Sequence, residues 1–290
     1  GQEENIDYNI HLQKVDLDGK ITKLKTLKFT DFNNSILSTT DLNEILLISP
    51  SDNADMDKIF RFENNFSELN IFYSMKPISS PFASNIRLSA ICNNNDKTYF
   101  VFDYNNKNIK RVVPELNTDV FVAGSGKEEI KDGAGLEVGF GTVSKIISQN
   151  KVLYLVDNLR VKNITDNILT YPLVSSNIRK LEYINNEWKV TTLISTTNAD
   201  DVFKDIAFDS KNDLYVLNGK GIFKLNLQDN TLSSYKEGDV KIGNGKNHST
   251  LALHYAKMMK IKNNDLYLLD QYSALIKISD FQSKFEAASK

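Results

Sequence analysis

The side chains to weigh first for chemistry are His248 and His254, six residues apart, with Tyr255 adjoining. Imidazoles ligate a metal or move a proton when carboxylates complete the set. A pair of histidines in one loop is more often incidental, and the chain holds only one other, His11. Asp205 and Asp209, joined by an amide such as Asn85 and by His254, would supply the donors of a calcium- or zinc-dependent hydrolase if the fold gathered them. A different chemistry sits in NLRVKNITDNILTYPLVSS (158–176), which carries Arg160, Lys162, Tyr171 and Pro172. An aromatic ring beside hydrogen-bonding cations suits recognition: the ring stacks and the polar tips orient the ligand. Lys127 belongs to a charged run with Glu128, Glu129 and Lys131, of the kind that solvated surfaces carry. Asp103, Asp157 and Asp270 recur at one position of a repeat. That recurrence points to carboxylates bonding the backbone of the turn that follows. No Gly-x-Ser-x-Gly, P-loop or dinucleotide fingerprint occurs, because GSGKEE has neither the spacing nor a following helix. We expect no catalytic set, no metal and no cofactor.

Composition narrows the classes further. The 290 residues carry 35 basic and 37 acidic side chains, a net charge of -2. A nucleic-acid or anionic-membrane binder needs a concentrated positive field, and none is indicated. One cysteine, Cys92, excludes a disulfide framework and any multi-cysteine metal site. No apolar run approaches the roughly 20 residues of a membrane span. The start, GQEENIDYN, has neither a basic nor an apolar signal region. Such a polar lead-in is what remains when an export signal or lipid-anchor segment is cut away. We therefore expect an exported protein, periplasmic or at the cell surface. Asn is used 33 times and Lys 30, against five Arg, which suits an AT-rich bacterial genome.

The elements that must position these residues are read from a repeat. EILLIS (44–49), TYFVFD (98–103), VLYLVD (152–157), DLYVLN (213–218) and DLYLLD (265–270) are similar strands, each ending in Ser, Asp or Asn. Short β-like segments precede four of them: 86–91, 142–148, 202–209 and 256–262. A third follows each, KIFRFE, NIKRVV, NIRKLEY, GIFKLNL and ALIKIS, and in most copies a fourth, as at 69–74, 119–124, 188–194 and 231–236. Turn clusters rich in Asn and Asp separate them. A four-strand unit returning every 52 to 61 residues is too long for helical hairpins and fits an all-β fold of four-stranded antiparallel blades, a β-propeller. Sandwiches and barrels need no such return.

The stretch GSGKEEIKDGAGLEVGFGTVSKIISQNKVLYLVD (124–157), with NIRKLEYINNEWKVTTLI (177–194), resembles the NHL-repeat propellers. Asp132-Gly133, Tyr154, Asp157, Ile178-Arg179-Lys180-Leu181 and Thr191-Thr192-Leu193 occupy that family's motif positions. Other copies depart, with Asn218 and Ser49 in place of the closing Asp. The resemblance implies six blades, one of them assembled from both termini. IHLQKVDLDGKITKL (10–24) reads as the extra strand pair of that blade, and five blades is the alternative. We expect a polar lead-in over 1–7 and a single propeller domain over 8–290.

Calling the strands of a blade a to d from the inside outward, the b–c loops and d–a linkers share one end. The long segments 49–57, 158–176, 75–85, 124–141 and 238–253 all fall there, which makes that end the place to seek a ligand. The expected function is a non-catalytic, extracytoplasmic recognition scaffold for a glycan, peptide or protein, with Arg160, Lys162, Tyr171, Lys127, His248 and His254 as binding residues. The alternative is a metal-dependent lactonase-like or amidating-lyase-like propeller with its site at the channel mouth.

Overall fold

The structure is a computed structural model, and it describes residues 9–16, 20–28, 36–39, 44–49, 57–76, 86–94, 96–242, 249–272 and 274–283. Two compact units divide the chain, 1–122 and 123–290. In the first, β1 (Asn9–Val15) and β2 (Ile21–Lys28) form a hairpin. A four-stranded antiparallel blade follows, β3 (Ile36–Thr39), β4 (Ile45–Ser49), β5 (Lys58–Glu63) and β6 (Glu68–Ser74). The next has the same order: β7 (Leu88–Asn93), β8 (Tyr99–Asp103), β9 (Asn108–Val113) and β10 (Thr118–Ala123).

The second unit opens with the short β11 (Gly133–Ala134), which pairs with the outer strand of the third blade. That blade consists of β12 (Thr142–Gln149), β13 (Val152–Arg160), β16 (Leu173–Ile184) and β17 (Glu187–Thr196). Between β13 and β16 a separate hairpin is inserted, β14 (Asn163–Thr165) with β15 (Ile168–Thr170). The fourth blade is β18 (Asp205–Phe208), β19 (Leu214–Leu217), β20 (Gly221–Asn226) and β21 (Thr231–Glu237). A hairpin of β22 (Asp239–Ile242) and β23 (Ser249–Ala252) leads to the last blade, β24 (Ala256–Lys262), β25 (Asp265–Asp270) and β26 (Leu275–Ile278).

The all-β propeller class is as the repeat predicts, but the blade number is five rather than six. The segment at 10–24 does form strands, yet among the described residues β1 and β2 pair only with each other. A sixth blade would need inner strands for them, and the described chain beyond β26 continues into a turn with Phe281 buried beneath it. The inner strand β3 lies in a stretch, ILST, that carries no repeat signal.

Side-chain alternation explains why the b strands read as unbroken apolar runs. In β19, Leu214 and Val216 join a cluster with Tyr154, Val156 and Ile178 of the third blade. Tyr215 and Leu217 point the other way, to Leu253, Met259, Leu266 and Leu268 around the fifth. Both faces of the strand are therefore covered, and all four residues are buried. In the first unit, Leu46, Ile48 and Ile59 pack on Leu88, Ile91, Tyr99 and Val101 in the same way. Carboxylates also tie a blade to the inner strand of its neighbour, from just before β5 in the first blade and from the start of β18 in the fourth. Asp57 Oδ2 accepts the Leu88 N–H at 2.7 Å, and Asp205 Oδ2 accepts that of Met259 at 2.7 Å.

Asn-rich turns close the hairpins because the pairs Asn185-Asn186 and Asn263-Asn264 adopt the left-handed conformation at both positions. Among the described residues no helix is long and apolar enough to cross a membrane.

Candidate functional site: the long-loop end of the second unit

The linker into the third blade is fixed from beneath by one side chain. Arg179, fully buried, donates from Nη1 to Gly139 O at 2.7 Å and to Asp157 Oδ2 at 2.8 Å. Its Nη2 donates to Lys131 O at 2.8 Å and Asp132 Oδ1 at 3.1 Å. The Phe140 ring lies 5.0 Å from the guanidinium carbon. A planar fork can reach four acceptors at once where an ammonium cannot. Asp157 Oδ1 accepts Gly141 N–H at 3.0 Å, so the closing aspartate serves the backbone and the arginine. Its counterparts behave similarly. Asp103 Oδ1 accepts the N–H groups of Arg87, Asn105 and Asn106, and Asp270 Oδ1 those of Tyr272 and Ala274. Burial pushes the Asp103 carboxyl up from its ordinary range.

On this foundation three features reach solvent. The first is the inserted arm, 160–172, exposed along its whole length. It presents Ile164, Ile168, Leu169 and Tyr171, each at least half exposed. Arg160, at the end of β13, donates from Nη1 to Tyr171 O at 3.0 Å and so braces the arm's base. Lys162 stands exposed between β13 and β14. The arm is joined to the fourth blade at its root. Ser176 Oγ donates to Asn158 Oδ1 at 2.5 Å and accepts Phe203 N–H at 2.8 Å, while Asn158 Nδ2 donates to Phe203 O at 3.2 Å.

The second feature is a cleft of about 240 Å³ between the outer strand of the third blade and the fourth blade. Thr196, Asp201, Asn218, Lys220, Phe223 and Glu237 line it. An ion pair of 2.7 Å joins Lys220 to Asp201, and this contact holds the lysine above its ordinary range. Gly219 is required at its rim, because a Cβ there would lie 2.1 Å from Asp200 O.

The third feature is an aromatic corner on the fifth blade. His254 and Tyr255 end a 3-10 turn, Leu253–Tyr255, that leads into β24. The two rings are 3.8 Å apart, and Tyr272, from the turn after β25, stands 5.4 Å from Tyr255 at 73°. Tyr255 is 38% exposed and Tyr272 69%. Lys204 Nζ donates to His254 O at 2.8 Å and Ala256 O at 3.0 Å, and burial lowers its pKa.

Among the sequence candidates, the structure brings Arg160 and Tyr171 together, with Lys162 on the same arm. Lys127 is exposed in the linker before β12, and His254 belongs to a different blade. His248 and Asn85 lie outside the described residues, as do 77–85 and 50–56 of the two long segments in the first unit. The donors of the metal-dependent alternative are spread apart. Asp205 begins β18 and bonds Met259 N–H, Ile206 N–H and, at 3.1 Å, the Lys145 ammonium. Asp209 follows the far end of the strand and closes the turn to Asp213. Among the described residues no group of three or more His, Cys, Asp or Glu is placed to hold a metal. Sequence reasoning passed over Tyr272, although its place directly after the closing Asp270 puts it in a b–c turn at the long-loop end.

No protein-family model matches the sequence, and no curated protein matches it. Solved structures do match by fold. A Bacteroides thetaiotaomicron protein of unknown function superimposes with a TM-score of 0.57 at 13% identity, over 90% of this chain and 61% of its own. An auxiliary nutrient binding protein of the same organism gives 0.56 at 9%, over 93% of this chain and 65% of its own. A gluconolactonase of Xanthomonas campestris gives 0.51 at 9%, over 87% and 78%. The chain thus spans under two thirds of the two Bacteroides proteins. At these identities the likeness is one of fold, and these neighbours are propellers.

Proposed function

We propose that the chain is a non-catalytic recognition scaffold that binds a glycan, peptide or protein partner at the long-loop end of its blades. One observation carries this reading. Three successive blades of the second unit present an apolar arm, a charged cleft and an aromatic corner at the same end, all set on fixed backbone. Loops held by a rigid sheet scaffold are where propellers and other β proteins place their binding surfaces. Arg160, Lys162 and Tyr171 act from the arm, Lys127 from the linker before the third blade, and His248 and His254 from the linker before the fifth. The protein works outside the cytoplasm, as a periplasmic or cell-surface component of a bacterium. Its likeness in fold to an auxiliary nutrient binding protein of Bacteroides thetaiotaomicron supports that location. Against the lactonase-type alternative stands the use already made of Asp205 and Asp209, each engaged by backbone N–H groups at opposite ends of β18.

Thermal unfolding in EDTA, then with calcium or zinc restored, separates the two readings. A native-state ligand at a hundredfold excess over its Kd adds about 2.7 kcal/mol. In a protein of this size that raises the Tm by roughly 5–10 °C. The scaffold reading expects an unchanged midpoint. A metal-dependent rise would overturn it and direct attention to lactone and ester substrates.

A further inference from the structure

We propose that the aromatic corner formed by Tyr255 and Tyr272, backed by His254, is a stacking site for one ring of a neutral carbohydrate. The inference rests on the scaffold reading and names the ligand class for part of that surface.

The corner is built rather than accidental. Exposed tyrosines on mobile loops are common, but here the backbone beneath every ring is held. Leu253 and Ala256, on either side of His254 and Tyr255, are at most 1% exposed and anchor the turn in the core. Lys204 grips the carbonyls of His254 and Ala256. Gln271 N–H donates to Tyr255 O at 2.9 Å, and Tyr272 N–H to Asp270 Oδ1 at 2.8 Å. The segments flanking the open end of the β24–β25 hairpin are thereby locked together, and their rings pack edge to face at 5.4 Å. Pre-set rings lose little side-chain freedom on binding, which removes much of the cost of capturing a ligand.

The geometry selects the ligand chemistry. Tyr272, 69% exposed and set at 73° to Tyr255, offers its ring to solvent beside the half-exposed ring of Tyr255. An open face accepts a flat array of C–H groups, while the phenol tips and the exposed imidazole offer hydrogen bonds at its margin. A pyranose presents that combination, apolar on its ring face and hydroxylated around its rim. A neutral sugar fits better than an anionic one, because Lys204, the cation beneath the corner, is committed to two carbonyls. An extended peptide fits less well. It needs free main-chain groups along its path, and the carbonyls of His254, Tyr255 and Ala256 and the N–H of Tyr272 are already bonded.

The test uses the full chain on an array of neutral and acidic glycans together with Pro-rich peptides, followed by affinity measurement on the best neutral glycan. Variants are Tyr255→Ala, Tyr272→Ala and Tyr272→Phe. Tyr183→Ala serves as a control, an exposed aromatic in the β16–β17 hairpin at the other end of its blade. We expect a neutral glycan to bind, each alanine variant at the corner to weaken it about tenfold, and Tyr272→Phe and Tyr183→Ala to hold within about threefold. An unchanged Tm shows that the variants remain folded. Glycan binding untouched by both alanine variants overturns the corner while leaving the scaffold reading in place. Binding of peptide alone, lost in Tyr272→Ala, keeps the site and overturns the sugar. Failure of the wild-type chain to bind any glycan overturns the sugar site while leaving a protein partner for the scaffold.

Discussion

Replacing Asp157 with Asn and Asp103 with Asn makes the same chemical change at the same repeat position, and the structure predicts different outcomes. Asp157 and Arg179 are each 0% exposed and 2.8 Å apart. An asparagine there satisfies either Gly141 N–H or the guanidinium, and in both orientations its amide N–H₂ opposes a donor. The charge left behind is fully buried, with Asp132, 45% exposed, as its remaining carboxylate. Breaking a buried pair from one side costs about 3–5 kcal/mol. At about 2–4 °C per kcal/mol for a chain of this size, the Tm should fall by roughly 6–20 °C. In Asp103→Asn the retained Oδ1 still accepts the three backbone N–H groups, and Asn106, whose Nδ2 now donates to Oδ2 at 2.8 Å, can turn its amide to match. A loss within about 1 kcal/mol is expected. Burial raises the Asp103 pKa above its ordinary 3.8, so the folded state holds its proton more tightly than the unfolded chain. Its contribution is therefore fully present below the unfolded pKa and lost as the pH rises through the folded one. Relative to Asp103→Asn, the wild-type chain should gain stability on acidification from neutrality. Urea unfolding of the three proteins at pH 7, and of wild type and Asp103→Asn at pH 4, measures all of this. Equal losses in the two variants at pH 7 would refute the claim that the Arg179 fork distinguishes the third blade energetically.

Two further outcomes follow from backbone geometry. Gly219→Ala drives a Cβ to 2.1 Å from Asp200 O, so the turn or the linker must move. We expect a loss of about 1–3 kcal/mol, with protection of amides around Asp200 and Asn218 reduced in hydrogen exchange and that of the inserted arm unchanged. Lys151 occupies the second left-handed position of the β12–β13 turn at φ 66. Glycine adopts this conformation without the side-chain penalty, so Lys151→Gly should stabilise the chain by about 0.5–1 kcal/mol in urea unfolding.

The sequence alone determined the repeat, the strand order and the turn positions. Those signals are local: apolar runs such as DLYVLN must be covered on both faces, and Asn pairs tolerate left-handed backbone. It also placed the arm at 158–176 and the closing aspartates, because each is an insertion or a residue at a fixed repeat position. The number of blades was not legible, since IHLQKVDLDGKITKL satisfies the rules for any hairpin and only its pairing decides what it joins. The role of Arg179 was hidden for a similar reason. Its acceptors, at 131, 132, 139 and 157, lie 22 to 48 residues away, and a linear pattern cannot tell a buried fork from a surface cation. Tyr255 and Tyr272 are 5.4 Å apart in space and on separate segments of the chain. The sequence supplied the rings, but only the tertiary structure, by pinning both backbones to the same end of the last blade, made them a corner.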